Sequence, residues 1–92
     1  MVPVHPGRIL KRELAVRELS ANQLALALRV PSGRITGILN GKRGITAETA
    51  LRLSHYFGNS AQFWMNLQSK YELAVVERDL GAKVKAEVSR AA

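Results

Sequence analysis

Cysteine does not occur among the 92 residues, which excludes a disulfide framework, a thiolate nucleophile and a cysteine metal site. No apolar run approaches the roughly 18–20 residues of a membrane span, and the N-terminal stretch lacks the apolar centre of a signal peptide. A cytoplasmic protein without a membrane partner is expected. Internal repeats are missing, as is any strand-type alternation long enough to build a sheet, so the chain reads as all-α. Paired carboxylates, metal-ligand spacing, a glycine-rich phosphate loop and a Ser/His/Asp set are also lacking. Neither an enzyme nor a bound cofactor or metal is expected. Apolar residues make up 47% of the chain, enough for one small domain with a real core.

The most informative scarcity is of acid. Between Leu19 and Ala47 there is no Asp or Glu, while Arg29, Arg34, Lys42 and Arg43 all fall inside. Up to Ile45, eight Lys/Arg stand against two acids, a balance of +6; from Thr46 onward six stand against five, a balance of +1. A net charge of +7 divided this way points to an anionic partner for the first half.

That acid-free stretch, Ser20 to Arg43, reads as helix, tight turn, helix and basic exit. Ser20 with Gln23 forms a capping box, and Leu24, Ala25 and Leu28 make the buried face. Val30-Pro31-Ser32 stops one helix and starts the next, because a residue before proline is pushed out of the helical region. Ile35, Ile38 and Leu39 then point inward, leaving Ser32, Gly33, Arg34, Thr36, Gly37 and Asn40 outward or at the edges. Asn40-Gly41 is a helix stop, and Lys42 and Arg43 beyond it suit backbone phosphates. This is a helix-turn-helix with core 20–41, its second helix placed to enter the major groove. One position departs from the usual pattern: many such turns carry Gly where this chain has Arg29. The turn is therefore either strained into a left-handed conformation or built differently.

On either side, Met1 to Val4 is expected as an extended arm. His5 is a cap or surface residue, and Pro6 suits the first turn of a helix carrying Ile9, Leu10 and Leu14 on one face. A fourth helix begins at Thr46 with Glu48 in its first turn and Ala50, Leu51, Leu53 and Phe57 inward; His55 falls among them as a structural residue. Gly58 ends it. Ser60 caps the last helix, where Phe63, Trp64, Leu67 and Tyr71 read as core or interface rather than as a stacking platform for bases. Leu73, Val76 and Leu80 continue on one stripe until Gly81, which is expected to interrupt the helix. The domain thus spans 1–80, followed by a flexible or frayed tail over 81–92.

The chemistry open to the second helix is sparse. Arg34 would carry direct readout, a bidentate contact to guanine being worth ~1–3 kcal/mol of discrimination. Thr36 is placed for a thymine methyl, with Ser32 beside it. Gly33 and Gly37 either let the backbone approach DNA closely or are merely tolerated. Asn22 and Gln23, in the first turn of the preceding helix, could meet a phosphate, although capping alone accounts equally for Gln23. A single short helix binds weakly, so a two-fold dimer reading half-sites about one turn apart is expected. Leu67, Tyr71 and Val75 form its candidate interface, with an intramolecular role the alternative.

The resemblance extends beyond the motif. His5-Pro6-Gly7 with Leu10, the block from Asn22 through Thr46, Glu48 to Gly58, and Ser60 to Val75 with its Phe63-Trp64 and Asn66-Leu67-Gln68 segments resemble antitoxins of the HigA family. That family sits within the larger group of phage-repressor-like helix-turn-helix regulators. The similarity covers roughly residues 5–77. It implies a five-helix, lambda-repressor-like fold, a homodimer, and repression through a palindromic operator in the protein's own promoter. It also implies a RelE-like mRNA-cleaving toxin as partner, neutralised by direct binding. A stand-alone repressor without a toxin, or a helical protein- or RNA-binding module, are the alternatives.

Overall fold

Four of the five helices begin where a side chain answers the free N–H groups that every helix start leaves over. In the computed structural model, which describes residues 2–91, these helices are α1 (Pro6–Arg17), α2 (Ala21–Leu28), α3 (Ser32–Leu39), α4 (Ala47–Phe57) and α5 (Ala61–Glu87). Met1 of the expected arm and Ala92 of the expected tail lie outside the described residues. His5 Nδ1 accepts from the Gly7 N–H at 2.9 Å. Ser20 and Gln23 exchange both bonds of the capping box, and Thr46 and Ser60 accept from Thr49 and Phe63. Only α3 starts without a side-chain cap, from Pro31.

The helices wrap a single core in which Leu10, Leu24, Ile35, Ile38, Ala50, Leu53 and Trp64 are fully buried. The Trp64 indole N–H donates to Asn59 Oδ1 at 2.9 Å, which satisfies its one polar group inside the core. Gly7 lets α1 touch α3: a Cβ added there would overlap the Ile38 carbonyl oxygen. The buried Gln68 of α5 accepts the Ile45 N–H through Oε1 at 2.8 Å and so fixes the loop between α3 and α4.

Three expectations change. Leu51 is 54% exposed and His55 is exposed, because the inner face of α4 runs through Ala50, Leu53, Ser54 and Phe57, and they lie about 110° and about 150° from the middle of that stripe. Phe63, read as core or interface, is 43% exposed and leans edge-on against Trp64, so the core alternative falls and the interface one stays open. Gly81 does not interrupt α5, which continues to Glu87. One glycine costs a helix only about 1 kcal/mol, and Ala82, Lys83, Lys85, Ala86 and Glu87 are strong helix formers. Of the described residues in the expected tail, 88–91 alone lie beyond the helix.

The length of α5 gives the molecule its shape, 51 × 23 × 22 Å. Its 27 residues span about 40 Å, and from its middle onward Leu73, Val76, Leu80 and Val84 are exposed. No helix among the described residues is long and apolar enough to cross a membrane.

Candidate nucleic-acid interface

The junction between α2 and α3 resolves the question posed by Arg29. It is left-handed, with φ 58° and ψ 48°, and so takes the conformation that glycine usually supplies at a cost of about 1–2 kcal/mol. The Val30 N–H reaches back to the Ala25 carbonyl at 3.0 Å and the Arg29 N–H to Leu26 at 3.2 Å. That pairing closes the end of α2 and turns the chain sharply into Pro31. Leu24, Ala25 and Leu28 then meet Ile35 and Ile38, all at most 4% exposed. With its inner face spent on this contact, α3 has only its outer face to offer.

Ser32, Gly33 and Thr36 are exposed on that face, and Asn40 is exposed where the helix ends. The Thr36 hydroxyl donates back to the Ser32 and Gly33 carbonyls at 3.3 Å, which leaves the methyl as the part free for an outside contact. The two glycines part ways. Around Gly33 an added Cβ would meet nothing within 4 Å, whereas at Gly37 it would press on Arg43 Cβ at 3.2 Å. Gly37 thus accommodates the stem of Arg43, and Gly33 alone presents bare backbone to solvent.

Lys42 and Arg43 are exposed just past Gly41, whose φ of 74° makes the exit. Both donate their N–H groups to the Gly37 carbonyl. The same loop is held from α1 and α5. The His5 ring lies beside Gly41 of this loop and stands edge-to-face on Tyr71 of α5 at 4.8 Å. Burial pushes the His5 pKa below its ordinary 6.5, opposed in part by the nearby Arg43 backbone. At the start of α2, Asn22 and Gln23 are exposed; Gln23 commits its Oε1 to the Ser20 N–H and keeps only its amide donors for another contact.

Arg34 is not a free cation. Its Nη1 donates to Glu48 Oε1 at 3.3 Å, while Arg52 Nη2 takes the other carboxylate oxygen at 3.2 Å. Arg52 in turn donates from Nη1 to the Leu28 carbonyl at 2.9 Å. Sequence reasoning assigned Glu48 only to the end of its own helix and passed over Arg52. Their spacing of four on one helix was the available signal; the bridge to Arg34 had none. The side chains of Leu67 and Tyr71 line a groove with Val2, Pro3, Val4, Ile9 and Ala74 of the same chain, so part of their surface is used internally. Val75 is half-buried.

A helix-turn-helix family profile matches residues 10–64. Virulence-associated protein I of Dichelobacter nodosus is 51% identical over 80 residues, covering 86% of this chain and 74% of that protein. Among solved structures, an addiction module antidote protein of the HigA family from Coxiella burnetii superposes with a TM-score of 0.96 at 48% identity, covering 99% of this chain and 100% of the other. Pseudomonas aeruginosa antitoxin HigA, solved with the higBA promoter, gives 0.95 at 42% identity over 99% and 100%. With the turn, the buried pairing of α2 and α3 and the five-helix order in agreement, the chain belongs to the helix-turn-helix family, in the branch of the HigA antitoxins.

Proposed function

We propose that this protein is a DNA-binding antitoxin that acts in the cytoplasm by binding alone. As a homodimer it represses its own promoter through a palindromic operator, and it neutralises a RelE-like mRNA-cleaving toxin by direct contact. The observation that carries the DNA half is the outer face of α3. None of its own residues is acidic, Lys42 and Arg43 flank it, and it is borne on the same fold as an antitoxin solved with promoter DNA. In this reading Arg34, Thr36 and Ser32 address base edges, and the Gly33 backbone lies close to the groove. Lys42, Arg43, Asn22, Gln23 and Asn40 contact the phosphate backbone, which fixes register and gives salt-dependent affinity. Half-buried Gly37 serves by seating Arg43. The dimer is assigned to α5, with Leu67, Tyr71 and Val75 at its edge, and the domain to residues 1–80 around the 20–41 core.

The test is a pair of titrations on a duplex that the protein selects from a randomised library and on a scrambled duplex. Arg34→Ala is expected to cost about 1–3 kcal/mol on the selected duplex and little on the scrambled one. Lys42→Ala is expected to weaken both alike and to lower the salt slope by about one. Equal losses on both duplexes for Arg34→Ala would count against the assignment. For the toxin half, a small basic protein of RelE type encoded beside this chain should copurify with it and lose its toxicity when the two are coexpressed. Toxicity unchanged by coexpression leaves a repressor without that partner.

A further inference from the structure

We infer that Glu48 is a positioning residue for base readout, holding the Arg34 guanidinium by one nitrogen so that its opposite edge is presented to the groove. The inference rests on the reading of α3 as the groove helix. Glu48 touches Arg34 only through Nη1. Among the described residues no other side-chain hydrogen bond engages Arg34, which leaves Nε and Nη2 as two parallel donors on the far edge. That fork is the geometry that matches guanine O6 and N7. The Arg34 side chain is 23% exposed against 59% for Glu48, so the cation is already drawn against the protein surface before any ligand arrives.

The carboxylate is itself anchored. Its second oxygen is taken by Arg52, which is fixed to the end of α2 through the Leu28 carbonyl. A relay of Leu28, Arg52, Glu48 and Arg34 thus ties α2, α4 and α3 together at one end of the reading helix. Arg52 and Glu48 also serve their own helix ends, but the Arg34–Glu48 pair, with Glu48 largely exposed, contributes little to folding stability; what it supplies is the ordering of a long flexible side chain before binding. Glu48 is also the first acid after the acid-free stretch. A negative charge beside the groove opposes binding to any duplex on which Arg34 finds no base partner, a repulsive element that sharpens discrimination.

The experiment uses the full chain and two probes: a duplex of about 20 bp selected by the wild-type protein from a randomised library, long enough for two half-sites, and its scrambled counterpart. Affinities for both are measured at one salt concentration for wild type, Glu48→Gln and Glu48→Ala, each alone and combined with Arg34→Ala, with thermal melts alongside. In Glu48→Ala the ratio of selected to scrambled affinity is expected to fall roughly three- to tenfold, a range typical of coupled residues in direct contact. The Glu48→Gln variant, which keeps an acceptor of the same length, falls less. Scrambled-duplex affinity rises in both, and in the Arg34→Ala background neither substitution lowers the ratio further. A ratio unchanged by both Glu48 variants while Arg34→Ala lowers it overturns the inference, and so does a fall that persists without Arg34. Failure to enrich any duplex, or a ratio indifferent to Arg34→Ala, overturns the groove reading beneath it.

Discussion

Replacing Gly33 with alanine separates what the free protein requires from what the complex requires. Gly33 sits in the first turn of α3 with ordinary helical backbone, and a Cβ there meets nothing within 4 Å. The substitution removes unfolded-state freedom without a clash, so the free protein gains roughly 0.5–1 kcal/mol. In a domain of this size that raises the melting midpoint by about 2–8 °C. With α3 in the groove as proposed, the same methyl would stand between its backbone and the DNA, and binding to the selected duplex is expected to fall by about 1–3 kcal/mol, the range of one lost groove contact. Gly7→Ala is the internal control. Its Cβ would overlap a backbone carbonyl of α3 that no rotamer change can move, so the same substitution costs about 1–3 kcal/mol of stability there. Thermal melts followed by circular dichroism, paired with anisotropy titrations, read both quantities. A Gly33→Ala protein that melts lower than wild type refutes the packing argument; one that melts higher and binds as before refutes the close approach to DNA.

Three further outcomes are expected. Neutral His5 caps α1 through Nδ1 and has its pKa lowered by burial. Its contribution to stability is therefore complete above the ordinary pKa of 6.5 and is lost as the pH falls through the depressed folded value. His5→Asn, which keeps a capping acceptor that does not titrate, should flatten that slope in melts taken across the acid range. Gln68→Leu leaves the buried Ile45 N–H without its acceptor and should cost about 1–3 kcal/mol in urea unfolding. Sedimentation at micromolar concentration should give twice the chain mass of 10.1 kDa; a strict monomer removes the dimer.

The features legible in the sequence were those written within a few residues of one another. Ser20 with Gln23, Thr46 and Ser60 announced their helices because a cap and its target N–H are two or three positions apart. Gly41 and Gly58 announced the ends for the same reason. The departure at Arg29 was visible as a departure, and only the backbone could say that the chain accepts the left-handed conformation. The joint of Arg34 to Glu48 spans fourteen positions and crosses a loop, and the bond from Gln68 to Ile45 spans twenty-three; no periodicity encodes either. Gly81 misled because a local breaker was weighed without the strong helix formers after it. Leu51 and His55 misled because apolar character, or apolar neighbours, was read as burial where the helical angle placed both outside. Tyr71 was offered to a partner while the His5 ring already occupied one side of it.

Arg29 carries a consequence for anyone who would make this protein sturdier. A glycine at its left-handed position would relieve about 1 kcal/mol of backbone strain, and thermal selection alone would favour that exchange. The exchange would also delete one of the four cations in the acid-free stretch, and with it part of the long-range attraction toward a polyanion. Heat tolerance and speed of encounter with DNA therefore pull against each other at this single residue, and the chain as it stands has settled on the side of charge.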